Sequence, residues 1–231
     1  MFDRVVCINL ERRPERYQSF RARLPGDWPF RPVERVVAVD GEQADLPAWY
    51  GGEFRPKLKG AWGCLQSHLG IWQSAVDANL SSVLVLEDDA VCCNAFTPMV
   101  KKFLDHVPDD WNQIYLGGQH LCTDSKPPVI VNDRVIRASN VNRTHAYAIS
   151  RKTMEACIQK FSNPWHGKGL KGWHVDHQLG YLHQLGRWNV YCPSKWLVGQ
   201  AAGTSDTFES RMMRTCWWNE FGIAKPEAVP C

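Results

Sequence analysis

Apolar positions along this chain recur in two rhythms, and their alternation outlines an α/β fold. Short continuous apolar runs mark buried strands: Val5-Val6-Cys7-Ile8, Val36-Val37-Ala38-Val39, Val83-Leu84-Val85-Leu86, Ile114-Tyr115-Leu116, Val135-Ile136 and Ala146-Tyr147-Ala148-Ile149. Between them, apolar residues fall three and four apart, as on one face of a helix. Tyr17, Phe20 and Leu24 follow Pro14. Leu65, Leu69, Trp72 and Val76 form a second stripe, and Met99, Val100, Phe103 and Leu104 a third. Met154, Cys157, Ile158 and Phe161 follow Ser150, and Val175, Leu179 and Leu182 close the series. Pro14 suits a first helical turn, where its missing N–H goes unneeded. Thr97 and Ser150 offer side-chain oxygens for capping.

Strand followed by helix, repeated, predicts an α/β domain with a mostly parallel central sheet flanked by helices. No internal repeat or shift in composition divides the chain. Residues 1–231 therefore read as a single domain, with a core to about 210 and a C-terminal tail over 211–231. The Gly- and Pro-rich stretch 42–62 and the Gly/Trp/Lys-rich stretch 162–174 read as long loops, which in a compact domain are usually functional or mobile. Residues 122–133 read as a polar loop, Gly117-Gly118 as the end of a strand, and the chain from 193 onward as weakly periodic.

The abrupt end of one run carries the first chemical signal. Val83-Leu84-Val85-Leu86 stops at Glu87-Asp88-Asp89. In open α/β sheets, ligands sit beyond the carboxyl ends of such strands. Strand alternation points Glu87 and Asp89 one way and Asp88 the other. Clustered carboxylates repel unless a cation or a proton compensates, so the triplet suits a hard divalent cation bound through oxygen. The bland alternative is a solvated acidic turn. A second acidic pair, Asp109-Asp110, precedes a strand and so stands at the wrong end of the sheet.

Composition adds less. With 44% hydrophobic and 22% charged residues the chain is ordinary for a globular protein, and a net charge of +3 is too small to argue for nucleic acid. Glu11 and Glu15 dilute the basic Arg12-Arg13 and Arg16. Eleven Trp is unusual; indole faces suit stacking on sugars or bases, and equally suit a core. The nine Cys are odd in number and contain no CxxC pair. Cys7, Cys64 and Cys157 fall at core positions and read as reduced thiols. No apolar stretch is long enough for a membrane span, and no secretory signal precedes the first strand. The expectation is a cytoplasmic protein, free or peripheral to a membrane. The sequons at Asn79 and Asn142 carry no weight in that compartment.

Five blocks then carry a resemblance: Ile8-Asn9-Leu10-Glu11-Arg12-Arg13-Pro14-Glu15-Arg16, Gly63-Cys64-Leu65-Gln66-Ser67-His68, Leu84-Val85-Leu86-Glu87-Asp88-Asp89-Ala90, Thr144-His145-Ala146-Tyr147-Ala148-Ile149-Ser150, and Gln200 with Ser205-Asp206. In this order and spacing, over about residues 1–210, the chain resembles glycosyltransferase family 25. That family includes lipopolysaccharide and collagen galactosyltransferases. The resemblance implies a GT-A fold, a UDP-linked hexose donor (galactose or glucose), Mn²⁺ with Mg²⁺ as the alternative, and inversion at the anomeric carbon.

It also implies roles. Glu87-Asp88-Asp89 stands for the DxD-like motif, with Asp89 as the direct metal ligand. Glu87 serves as a further ligand or acts through the ribose or a bound water. Asn9, Arg12 and Arg16 belong to the nucleotide site, where a guanidinium pairs with phosphate; Arg13 reads as a surface partner of Glu15. Asp40 takes a ribose or base hydrogen bond, or only shapes a turn with Gly41. His68 and His145 are divided evenly between donor site and core. Gln200, Ser205 and Asp206 close over the diphosphate or complete the metal shell. Asp176 is the candidate general base, with helix capping as its plain reading and His174 and His177 as weaker substitutes.

The acceptor hydroxyl stays open among saccharide, protein and modified base, with the Trp and Lys residues of 165–173 available to any of them. Two other classes remain: a catalytically inactive sugar- or nucleotide-binding relative, and a metal-dependent phosphoesterase. The latter would want more His and Asp ligands for a two-metal site.

Overall fold

In a computed structural model, residues 2–162, 170–206 and 212–213 are described. The first strand, β1 (Arg4–Asn9), leads into α1 (Pro14–Arg23), with Pro14 in the first turn as expected. Then follow β2 (Glu34–Val37), a 3₁₀ turn (Gly52–Lys57), α2 (Lys59–Asp77) and β3 (Ser82–Glu87). A two-residue turn at Asp88-Asp89 leads to β4 (Ala90–Cys92), then α3 (Phe96–Leu104) and β5 (Gln113–His120). Next come β6 (Val129–Ile130), β7 (Val135–Arg137), β8 (Val141–Ser150) and α4 (Arg151–Phe161). After a second 3₁₀ turn (Leu170–Trp173) the chain forms α5 (Val175–Gln184), β9 (Val190–Pro193), β10 (Val198–Gln200), β11 (Gly203–Thr204) and β12 (Met212–Met213).

Eight strands make the central sheet, in the order β2-β1-β3-β8-β5-β9-β7-β6. β1 pairs in parallel with β2 and β3, and β5 with β9, while β8 runs against both β3 and β5. β7 opposes β9 and β6 opposes β7, so six of the eight strands share one direction. The antiparallel β8 sits in the middle. As a result, its N-terminal end lies beside the carboxyl end of β3, and a ligand there meets residues from both.

Both faces of the sheet are covered, which is why its strands read as unbroken apolar runs. Val6, Val83, Val85 and Tyr147 pack with α2, α4 and α5 on one face; Val5, Cys7, Leu84 and Leu86 pack with α1 and α3 on the other. The interior-facing stripe of α2 is wider than expected, burying Ala61, Gly63, Leu65, Ser67, His68, Ile71, Trp72 and Ala75.

Several expectations need correction: residues 122–133 are not all loop, since β6 falls within them, and Thr97 does not cap α3 but lies inside it, with Ala95 at the N-cap. The stretch 42–62 is not all loop, because α2 begins at Lys59. Its glycines serve close packing: a methyl group on Gly63 would lie 2.5 Å from the Val39 carbonyl oxygen, and one on Gly41 would lie 1.8 Å from that of Lys59. β5 does not stop at Gly117-Gly118 but continues to His120 through register shifts against β8. Gly117 is needed there because a Cβ would meet the Val198 carbonyl oxygen at 2.1 Å. The chain past 193 contributes β10, which pairs with β4. Trp173 is buried in the core and offers no exposed ring to an acceptor.

Of loop 162–174, residues 163–169 lie outside the described residues, as does tail 214–231. Cys7, Cys64 and Cys157 are free thiols as expected, together with Cys92, Cys122 and Cys192. Cys93 is disulfide-bonded, so the thiol argument for a reducing compartment does not extend to it. Among the described residues no helix is long and apolar enough to cross a membrane.

Candidate functional site

The carboxyl ends of β1, β2 and β3 open onto a cleft of about 730 Å³, solvent mouth included. Asn9, Arg12 and Arg16 line it from the end of β1 and the start of α1; Asp40 lines it from beyond β2. His68 reaches it from α2, and Glu87, Asp88 and Asp89 from the end of β3. Ser205 and Asp206 arrive from the C-terminal part of the chain. Ten of the residues singled out from the sequence thus share one cavity. Gln200 stands just behind, its side-chain amide donating to Asp89 Oδ2 at 3.3 Å.

Local packing explains the convergence. Gly63 lets α2 close onto the chain at Val39–Gly41. Ser67 Oγ then accepts the Val39 N–H at 2.9 Å and donates to the Gly63 carbonyl at 2.7 Å. This pins the strand end that presents Asp40. Asp40 accepts from Arg12 Nε at 2.7 Å and from the Glu42 N–H at 3.1 Å, so it makes both the turn and an ion pair. The Arg12 guanidinium holds its carboxyl below the usual range.

The acidic triplet divides three ways. Glu87 faces α2 and β8: it accepts from Thr144 Oγ1 at 2.7 Å, and His68 Nε2 is 3.7 Å away. Burial alone would raise its pKa, but His68 and Thr144 hold it lowered. Asp88 faces the other way, accepting from Asn9 Nδ2 at 2.7 Å and closely paired with Arg16. Burial nonetheless pushes Asp88 upward. Asp89 turns back toward the cleft with Arg16 at 3.7 Å, and its buried Oδ1 has no hydrogen-bond partner among the described residues. Burial, then the charge of Glu87, raises it to about 7 against the pull of Arg16. A buried carboxylate oxygen without a donor, under the field of two further acids, fits a hard divalent cation.

Basic charge faces this cluster. Arg12 also pairs with Asp206 at 3.0 Å, Arg13 with Asp206 at 3.4 Å, and Arg16 with Asp206 at 3.6 Å. Arg13 makes the expected pair with Glu15 at 2.9 Å, and its reach to Asp206 was not foreseen. Also missed were Arg35, which donates to Asn9 Oδ1 at 2.6 Å, and Thr144. Arg35 carried no signal, since it lies in a strand with no motif. Thr144 stood inside a motif block and could have been found from the antiparallel neighbour of the acidic strand.

Asp176 does not line the cleft but stands beside it in the first turn of α5, whose N-cap is His174. Its Oδ1 accepts the His177 N–H at 2.8 Å and its Oδ2 the Arg143 N–H at 3.3 Å. The latter bond holds β8 where Arg143 takes a left-handed φ of 79°, a strained conformation for a non-glycine residue. The N-cap position belongs to His174, whose side chain makes no capping hydrogen bond, so Asp176 is not the helix cap. His145 is a core residue: Nε2 faces the Val198 carbonyl at 3.2 Å, and burial lowers its pKa to about 4. Asp110 lies before β5 at the far end of the sheet, held by Asn189 and Tyr191.

Residues 2–177 match the family described as glycosyltransferase family 25 (LPS biosynthesis protein). Procollagen galactosyltransferase 2 of Mus musculus is 30% identical over 95% of this chain and 39% of its own length. Inactive glycosyltransferase 25 family member 3 of Homo sapiens is 32% identical over 64% of this chain and 27% of its own. The chain thus spans well under half the length of these curated relatives. Among solved structures, a glycosyltransferase involved in the glycosylation of the major capsid of PBCV-1 superposes with a TM-score of 0.41 at 14% identity, covering 83% of this chain and 82% of that one.

Proposed function

The chain belongs to glycosyltransferase family 25, and from that premise we propose that it moves a hexose, galactose or glucose, from a UDP-sugar to an acceptor hydroxyl with inversion. The observation that carries this reading is the cleft in which three carboxylates face Arg12 and Arg16, just before and within α1, at the carboxyl ends of three parallel strands. A diphosphate needs both parts: guanidinium forks for its oxygens and acids to hold the cation that shares them. Asp89 would hold Mn²⁺, or Mg²⁺ in its place, with Glu87 and Asp88 supplying the negative field. Bound there, the cation supplies Lewis-acid stabilisation of the leaving diphosphate.

The remaining chemistry falls to the chain itself. Arg12 and Arg16 bind the diphosphate and orient it. Asn9 and Asp40 flank the nucleoside, and His68 and Glu87 form the wall behind the sugar. Asp176 takes the proton of the acceptor hydroxyl as that oxygen attacks the anomeric carbon. The bond to UDP breaks on the opposite face, and UDP leaves with the electron pair.

Calorimetric binding of UDP with and without Mn²⁺, followed by a screen of UDP-hexoses for Mn²⁺-dependent hydrolysis, tests the proposal. UDP should bind only with the cation, and one UDP-hexose should turn over. Absence of cation-dependent UDP binding overturns the reading. A second reading is favoured by the human relative whose name marks it inactive: UDP binding with Mn²⁺ but no turnover of any UDP-hexose, with acceptors of all three classes supplied, would identify an inactive binding relative.

A further inference from the structure

A second set of ligands stands on the α2 wall of the same cleft. Cys64 and His68 are four residues apart and so share one helix face; Glu87 meets them from the end of β3. Cys64 Sγ, His68 Nε2 and a Glu87 carboxylate oxygen all lie within 4.8 Å of one another, and His68 Nε2 is 3.7 Å from Glu87 Oε1. His68 is fully buried, yet Nε2 has no hydrogen-bond partner among the described residues. We propose that Cys64, His68 and Glu87 form a separate cation site that takes zinc, sharing the cleft with the carboxylates of Asp88 and Asp89 but chemically distinct from them.

Distance and ligand type both point that way. Zinc bound tetrahedrally to sulfur, nitrogen and oxygen places its ligand atoms about 3.3–3.7 Å apart. One edge already has that length, and the longest needs about 1 Å of side-chain rotation to reach it. A thiolate with an imidazole selects zinc over Mn²⁺, which prefers all-oxygen shells. Three protein ligands leave a fourth position open toward the cleft.

The partners of His68 and Glu87 suit the role, whereas burial and the neighbouring acids hold the Cys64 thiol well above its ordinary pKa, so the cation itself must displace its proton. Tyr147 Oη is 2.8 Å from His68 Nδ1 and accepts from Trp72 Nε1 at 3.0 Å. Its oxygen has two lone pairs, so it can also accept Nδ1–H, which leaves the Nε2 lone pair aimed at the cluster. Thr144 holds Glu87 Oε1 from the other side. Such partners fix the orientation of metal ligands. Binding releases the Cys64 proton to solvent as the sulfur–zinc bond forms.

The proposal concerns the cation alone and stands whether or not the cleft takes a UDP-sugar. The test is cobalt substitution in the full chain after treatment with EDTA. Co²⁺ should give a thiolate-to-metal charge-transfer absorption that saturates at one equivalent, is removed by one equivalent of Zn²⁺ and is missing in Cys64→Ser. Zinc affinity in that variant should fall roughly tenfold or more. No such absorption in the wild type overturns the proposal. So does its persistence in Cys64→Ser, which would assign it to another thiol, such as the exposed Cys122. Should the variant misfold, iodoacetamide labelling of the wild type decides the matter: Zn²⁺ should slow alkylation of Cys64, and equal rates with and without it overturn the site.

Discussion

Asp89 shows how a single residue couples fold and chemistry. Buried beside Glu87 and Asp88, its pKa is raised to about 7, while in the unfolded chain it titrates near ~3.9. The folded state therefore keeps a proton that the unfolded state has lost. This contribution is fully present below about pH 4 and disappears as pH rises through about 7. Metal-free protein should accordingly lose thermal stability between about pH 4 and about pH 7, and Asp89→Asn should lose less of it. Mn²⁺ should recover the wild type at the upper end but not the variant. Equal melting profiles for the two proteins would remove Asp89 from the cation site. Asp176 makes the opposite case, a residue whose chemistry should separate from its structural role. Asp176→Asn keeps only one carboxyl oxygen for the N–H groups of His177 and Arg143, which costs about 1 kcal/mol. Turnover should drop by roughly two to four orders of magnitude, with UDP affinity in Mn²⁺ unchanged. Retained turnover would move the base elsewhere; joint loss of stability and donor affinity would make Asp176 structural.

At the scale of elements, the strands were legible and several boundaries were not. Val83 to Leu86 announced a strand because both of its faces are covered. The first two turns of α2 hid behind Gly60 and Gly63, residues that normally weaken a helix. Here the reason is contact: α2 starts where its backbone can touch the backbone at Val39 and Gly41. The apolar run starts five residues short of the N-terminal end of β8. Asn142, Arg143, Thr144 and His145 are polar and carry no apolar signal: Thr144 reaches Glu87, His145 packs in the core, and Arg143 takes a left-handed φ within the strand. Gly63→Ala therefore tests whether α2 positions the site. The added methyl meets backbone on two sides, so relief requires moving α2 or the strand end, at a cost of about 1–3 kcal/mol. UDP affinity should fall with stability, because Asp40 moves along with Gly41. A variant that melts early but binds UDP normally would show that the contact serves folding alone. Tyr50 links the two stretches first read as loops: its hydroxyl donates to the Trp173 carbonyl at 2.7 Å, and its ring packs on Trp62 and Trp173. Protection from proteolysis on adding UDP and Mn²⁺ should therefore appear in both stretches together, and in Tyr50→Phe it should be weaker in both. Protection confined to one of them would show that the link carries no motion between them.

Across the whole molecule, the contact hardest to foresee joins its two ends. Asp206 lies 194 residues from Arg12 and still reaches it, as well as Arg13 and Arg16. Arg13 Nη2 and Arg16 Nη1 also donate to the side chain and carbonyl of Thr204. No local pattern encodes such a contact. The motif blocks marked both partners, but only the folded chain shows that they neutralise one another. The diphosphate of a donor needs these guanidinium groups, so it must compete with Asp206 for them. Each exposed pair contributes about 0.2–1 kcal/mol, and removing the competitor should tighten binding by a factor between about two and ten. Asp206→Asn should therefore bind UDP more tightly than wild type when no divalent cation is present. The gain should shrink as salt is raised, because screening weakens the wild-type pairs as well. A role for Asp206 in the metal shell predicts the reverse pattern: unchanged affinity without Mn²⁺ and weaker affinity with it. Calorimetry of the two proteins with UDP, with and without Mn²⁺, at two salt concentrations distinguishes a latch that yields to the donor from a ligand that waits for the metal.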